Sequence, residues 1–316
     1  MRIRNLQIAA VLAAAALLAA PFALAADNNQ AASHEQGQAV ITVLPGSEVP
    51  GGIPQDAVHV KVDGKDSTVT GWKALHSPDS NLQVVILIDN GARESLSLQL
   101  NDIANFIKGL PPEAKAAVAY MEYGRAALAG PMTTDHAALV RELHIPVQGM
   151  PGISASPYFC LSDLARHWPS NDANARREVV MVTDGVDYYE VRYDPEDPYV
   201  QAAIQDSVRA HLVVYSIYWR NQGWLGRTGY ADYDGQNLLA QLTEATGGYS
   251  YWEGYGDPVS FAPYFANIDQ RIHNQYELDF MTPAGNKPQM ANLKLKVAAN
   301  AKVDAPQQVY VHPGAQ

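Results

Sequence analysis

Two runs of the chain are apolar at almost every position. Val84-Val85-Ile86-Leu87-Ile88 ends on Asp89, and Val179-Val180-Met181-Val182 ends on Thr183-Asp184-Gly185. Unbroken β-branched runs of this length predict strands covered on both faces, as in a parallel sheet. Residues 116–121 and 212–218 repeat the pattern. Between these runs the period becomes helical. Leu100, Ile103, Ile107 and Leu110 share one face, and Gly109 with Pro111-Pro112 stops that helix. Leu161, Leu164, Ala165 and Trp168 follow i, i+3, i+4, i+7 spacing. Residues 135–143 predict a short helix capped by Thr133 or Thr134. Asp197-Pro198 reads as a cap and a first helical residue, with Val200, Ile204 and Val208 inward. After a glycine stop at Gly247-Gly248 and a short strand over 249–252, Phe261, Phe265, Ile268 and Ile272 form a last stripe. Strands alternating with helices predict an α/β fold built on a doubly wound, central parallel sheet.

The ends of the chain keep another rhythm. Val58-His59-Val60-Lys61-Val62 alternates strictly and turns at Asp63-Gly64, with residues 40–43 and 69–75 as companion strands. Strand patterns return over 276–280, 293–297 and 309–311. Both terminal segments are therefore expected to form a small β extension beside the α/β domain. The predicted divisions are a signal peptide (1–25), a polar disordered linker (26–37), an N-terminal β segment (38–80), the α/β domain (81–272) and a C-terminal β segment (273–316). The signal reading rests on Arg2 and Arg4, the apolar stretch 8–20, and Ala23-Leu24-Ala25 before Ala26. That stretch is short for a membrane span and ends at Pro21, although a retained anchor is the alternative. The mature chain is expected to be exported, periplasmic or secreted, with no transmembrane segment.

Composition narrows the partners. The 316 residues are 47% hydrophobic and 17% charged, which is globular. Cleavage after Ala25 would leave 20 basic and 33 acidic side chains, a net charge of −13. Such a charge argues against nucleic acid and anionic lipid as partners. The single cysteine, Cys160, cannot form an internal disulfide.

In doubly wound folds the strand C-terminal ends line the ligand crevice, so Asp89 and Asp184 are predicted to share a site. Around them a family likeness emerges. Asp89-Asn90-Gly91-Ala92-Arg93 and Thr183-Asp184-Gly185 resemble the motifs of von Willebrand factor A (VWA) domains. Over residues 81–272 the chain is similar to exported VWA-related proteins of acidobacteria. The family carries Asp-x-Ser-x-Ser after its first strand, a Thr before its third helix and Thr-Asp-Gly after its fourth strand. Together these form its metal-ion-dependent adhesion site. Asp89 and residues 183–185 match, Gly91 and Arg93 replace the two serines, and Ser154 or Ser156 stands for the Thr.

The resemblance implies a VWA/Rossmann-like fold that binds a protein, or an extracellular matrix or envelope ligand, at the strand C-terminal face. It also implies Asp89, Ser154, Ser156 and Asp184 as the set that would hold Mg²⁺. A Mg²⁺-like ion requires hard oxygen ligands in near-octahedral array. Gly91 has no side-chain oxygen, and Arg93 brings a permanent positive charge that can neutralise carboxylates directly. The expectation is a degenerate, metal-free site in which Arg93 joins Asp89 and Asp184, with no cofactor. A weakened Mg²⁺ site that binds ligand through the ion is the alternative.

The loop 187–199 holds five acids and four tyrosines. Asp187, Tyr188, Tyr189 and Tyr193, with Trp224 from a second aromatic loop, are candidate contact residues. The plain alternative is a solvated acidic loop that caps the next helix. Catalytic signals are poor. Residues 152–156 miss the Gly-x-Ser-x-Gly elbow, the histidines lack metal spacing, and Cys160 reads as a structural thiol. The leading expectation is an exported, non-enzymatic interaction or adhesion module. A hydrolase using Ser154 or Ser156 with Asp184 is the remaining alternative.

Overall fold

The computed structural model describes residues 34–76, 80–146, 156–190, 192–221, 229–254, 256–283, 288–297 and 301–313. Three strands come first: β1 (His34–Val43), β2 (Val58–Val62) and β3 (Lys65–Ala74). An alternating series follows: β4 (Leu82–Asp89), α1 (Leu100–Gly109), β5 (Lys115–Glu122), β6 (Arg125–Leu128), α2 (His136–Arg141), α3 (Pro157–Arg166) and β7 (Arg176–Thr183). The series continues through α4 (Pro198–Arg209), β8 (Leu212–Tyr218), α5 (Gly229–Thr246), β9 (Ser250–Tyr251) and α6 (Ala262–His273). Four strands close the chain: β10 (Gln275–Pro283), β11 (Gln289–Val297), β12 (Val303–Asp304) and β13 (Gln308–Pro313).

The alternating series makes a six-stranded sheet in the order β6-β5-β4-β7-β8-β9. All its neighbours run parallel except the edge strand β6. Numbered by its own strands, the order is 3-2-1-4-5-6, so the direction of winding reverses between β4 and β7. Every residue of β4 is buried, because alternate side chains leave opposite faces and helices cover both. Val84, Ile86 and Ile88 pack with Ile103 and Ile107 of α1 and Phe265 and Ile268 of α6. Val85 and Leu87 pack with Leu161 and Leu164 of α3, Ile204 of α4 and Leu242 of α5. Asp197 caps α4 as expected, accepting from the N–H groups of Tyr199 and Val200. For α2 the cap is Asp135, whose carboxylate takes the Ala138 N–H, rather than either threonine.

The terminal segments form more than an added layer. The ring β10-β3-β2-β11-β13-β1 is closed by pairing of β1 with β10, and every pairing is antiparallel. The small β extension is thus a closed six-stranded barrel, with β12 paired beside β1. An alternating strand buries one face only; closing the ring gives six such faces one interior and leaves no open edge among them. Ile41, Val60, Leu278, Phe280, Leu293 and Val311 fill that interior. β1 begins four residues earlier than the predicted linker boundary, because residues 34–37 pair with β10 on one side and residues 35–37 with β13 on the other. The rest of the linker and the signal segment lie outside the described residues.

Barrel and sheet meet through polar side chains. Arg176 Nη1 donates to Ile272 O and Gln275 Oε1, both at 2.8 Å, and Gln275 Nε2 donates to Tyr215 OH at 3.2 Å. Arg271 pairs with Asp304 at 2.8 Å and lies over the Tyr249 ring. Glu178 is fully buried beside this group, and burial pushes its carboxyl up to about 7. Arg176, Gln275 and Tyr215 pull the other way, yet neither Glu178 oxygen reaches hydrogen-bond geometry. Among the described residues no helix is long and apolar enough to cross a membrane.

Candidate functional site

The two aspartates close neighbouring strands at the reversal point. Asp89 is the last residue of β4; its Oδ1 accepts from the Gly91 N–H at 2.8 Å and its Oδ2 from the Thr183 hydroxyl at 2.7 Å. Thr183 ends β7, so one hydrogen bond joins the tips of adjacent strands. Asp184 is fully buried, with Val186 N–H on Oδ1 at 2.9 Å and Tyr188 OH on Oδ2 at 2.7 Å. Asn221, past the end of β8, adds its N–H to Oδ2 at 3.2 Å. Hydrogen bonds aimed at a buried carboxylate stand in for the water it has lost.

Glycine at position 91 has a steric cause. A Cβ there would overlap the side-chain amide of Asn221. The space beside Gly91 is therefore filled from another loop, 130 positions along the chain. Gly185 is constrained in the same way: its φ is +69°, and a Cβ would strike Leu239 and the Gly235 carbonyl.

Arg93 does not join the aspartates. Among the described residues it makes no ion pair, and its Nε–H is buried without an acceptor. Its backbone sits at φ 49°, ψ −144°, a region that non-glycine residues rarely adopt. Hydroxyl and N–H donors on both carboxylates take part of the load that a guanidinium would carry.

Ser156 precedes α3, is fully buried, and its hydroxyl has no hydrogen-bond partner. It lies near enough to Asp187 to ease that carboxylate's charge, though short of hydrogen-bond geometry. Burial raises the Asp187 carboxyl above its usual range, while the N–H groups of Tyr189 (2.8 Å) and Glu190 lower it. Asp187 Oδ2 is left without a donor. Tyr158 OH donates to Gly185 O at 2.6 Å and fastens α3 to the β7 loop. Burial, Asp187, Asp184 and Asp197 together push its phenol far up.

This donor set does not fit the implied Mg²⁺ site. Gly91 supplies no oxygen, Asn221 fills its space, and donors serve both oxygens of each aspartate. Ser154 lies outside the described residues.

The aromatic residues divide. Tyr188 is buried and spends its hydroxyl on Asp184, so it braces the site instead of meeting a ligand. Tyr189 is 48% exposed and Tyr193 41%. Tyr189, Tyr199 and Phe159 meet edge to face, with centroids 4.9–5.3 Å apart. Trp224 lies outside the described residues. Cys160 is buried and its thiol is pushed up mainly by burial, while His167 bonds Asp163. Sequence reasoning missed Asn221 and also a further buried carboxylate, Asp232, held by Tyr218 OH (2.8 Å) and Arg220 (3.2 Å). Gly91 was the available signal for Asn221, since a glycine in a serine position can mark a close approach.

A 3-2-1-4-5-6 sheet with two aspartates at its reversal point agrees with the VWA/Rossmann-like fold that the resemblance implies. This half of the chain has a VWA-like fold. No family model matches the chain, and no curated protein does. Solved structures similar to it include the conserved hypothetical protein BatB from Bacteroides thetaiotaomicron, at 15% identity over 60% of this chain and 97% of that one, TM-score 0.42. The vWF domain of the type V pili tip protein Mfa5 from Porphyromonas gingivalis is similar at 12% identity over 60% and 94%, TM-score 0.42. The SpRpn10 VWA domain is similar at 14% over 59% and 94%, TM-score 0.37. At such identities and scores no residue role passes from these proteins to this chain.

Proposed function

We propose that the chain is an exported, non-enzymatic protein-interaction module that meets its partner at the strand C-terminal face without a metal ion. One observation carries this reading. Of the ten large apolar side chains strongly exposed among the described residues, seven lie at that face. Leu98 follows β4, Tyr123 follows β5, Tyr189 and Tyr193 follow β7, Tyr233 opens α5, and Trp252 and Val259 follow β9. Gln99 Nε2 bonds Val259 O at 3.1 Å, which holds two of these loops together. Scattered exposed apolar residues need no explanation, but their crowding on one face marks a contact surface.

The metal-free part of the reading is supported by the donors that already serve Asp89 and Asp184 and by the Asn221 amide in place of a ligand. The non-enzymatic part is supported by the Ser156 hydroxyl, which is buried and bonded to no base. Export rests on the N-terminal sequence. The test is retention of envelope proteins on the immobilised mature chain, with and without EDTA, for wild type, Leu98→Asp and Tyr189→Ala. Retention is expected to survive EDTA and to weaken in both variants, the tyrosine alone being worth about 2 kcal/mol if it is a buried anchor. Retention lost in EDTA and restored by Mg²⁺ would establish the metal-dependent alternative. Retention indifferent to both substitutions would move the interface off this face.

A further inference from the structure

We propose a second site at the opposite pole: a pocket for a small oxyanion, set in the seam between barrel and sheet. A cavity of about 390 Å³ opens beneath the N-terminal ends of β4, β7 and β8. Lys73 of β3, Arg176 and Arg177 of β7, and His211 before β8 line it. Glu277 is the one carboxyl among the described lining residues. In a chain with 22 basic and 33 acidic side chains, three fixed cations and an imidazole against one carboxyl reverse the average.

That carboxyl is a weak opponent. Burial and Asp279 raise its proton affinity, and Lys73, its register partner on the next strand, acts against them. Asp172 nearby is engaged by Asn81 Nδ2 at 2.9 Å and by the Asn174 N–H at 3.0 Å. The imidazole of His211 is pushed down mainly by burial, with smaller contributions from His312 and Arg177.

The second observation concerns donors. Arg176 is only 6% exposed, and its Nε–H has no acceptor although Nη1 has two. Arg177 donates to the carbonyls of Ala210 and Asp172 and likewise leaves its Nε–H buried without an acceptor. A phosphate or carboxylate group offers several acceptor oxygens on one charged centre, which suits a cavity wall that carries two guanidinium groups and an ammonium. A cavity of this size suits a small molecule carrying such a group. No residue here belongs to the contact face, so the two readings stand or fall separately.

Calorimetric titration of the full chain at constant ionic strength tests the site, with inorganic phosphate and succinate as probes and chloride as control. Saturable binding of phosphate or succinate, and none of chloride, is expected. The tighter of the two tells whether the pocket prefers a phosphoryl or a carboxylate ligand. Lys73→Gln and His211→Asn are each expected to weaken binding about tenfold, and Glu277→Gln to tighten it. Lys73 is exposed, and asparagine tolerates the positive φ of position 211, so neither change threatens the fold. Absence of saturable heat with both probes, or affinities unmoved by Lys73→Gln and His211→Asn, would overturn the proposal.

Discussion

The barrel and the layered half use similar apolar residues to opposite ends. In β4 all eight side chains are buried, whereas β2 buries every second one. The layered strands need helices on both faces, and the chain supplies each helix between the strands it covers. The barrel strands need only one another, but their partners are far apart: Thr42 of β1 lies opposite Gln275, 233 positions away. Burial pattern therefore reports how many faces a strand hides, while partnership is fixed by closure. Between the halves lies a third environment, polar and buried, around Arg176, Glu178 and Gln275.

The strongest way to break this comparison is to empty the barrel. Phe280 is 1% exposed in its core, and its ring also fills the space above Gly37. Phe280→Ala is expected to lower stability by about 3–5 kcal/mol. Because the seam ties the halves together, urea unfolding read by tryptophan fluorescence and far-UV circular dichroism is expected to remain one coincident transition. Two separate transitions, the later one unmoved, would show halves that fold independently.

The seam itself comes next. Glu178 ordinarily titrates near 4.5 and is raised to about 7 in the folded chain. Between those values the folded state keeps a proton that the unfolded chain has released. Its contribution is therefore full below about pH 4.5, falls as pH rises toward 7, and levels off beyond, a change on the order of 3 kcal/mol. Glu178→Gln is expected to flatten stability over that window. Identical pH slopes in wild type and variant would place the titration elsewhere.

A smaller effect sharpens the view of the site. Gly91→Ser would force Asn221 aside and is expected to cost about 1–3 kcal/mol, with Asn221→Ala restoring much of the loss in the double variant. Neither variant is expected to gain thermal stability from Mg²⁺; a Mg²⁺-dependent rise in the double variant would show that Asn221 alone had kept the ion out. The smallest effect is at Arg93. Arg93→Gly relieves a strained backbone and is expected to be neutral or to stabilise by up to about 1 kcal/mol. A loss above about 2 kcal/mol would restore Arg93 as the carboxylates' partner.

Local pattern revealed whatever depends on neighbours along the chain. The unbroken runs of β4, β7 and β8, the Asp197 cap and the placement of Asp89 and Asp184 at strand ends were all legible. The edge strand β6 has four residues and β12 two, too few to show a period. Barrel closure was hidden because β1 and β10 each carry an ordinary one-faced pattern, and nothing local states that they pair. At the site, closeness in sequence misled: Arg93 stands four residues from Asp89 but does not reach it, whereas Asn221 arrives from beyond β8.

The pairing of β1 with β10 also sets a timetable. A ribosome adding about 5–20 residues per second needs roughly 12–47 s to make the 233 residues that separate Thr42 from Gln275. Until then β1 has none of its three partner strands, while β4, β5 and β7 already have theirs. A nascent chain arrested before residue 275 should therefore bury the first sheet strands yet leave β1 open to protease. The last strands to emerge give the first one its place.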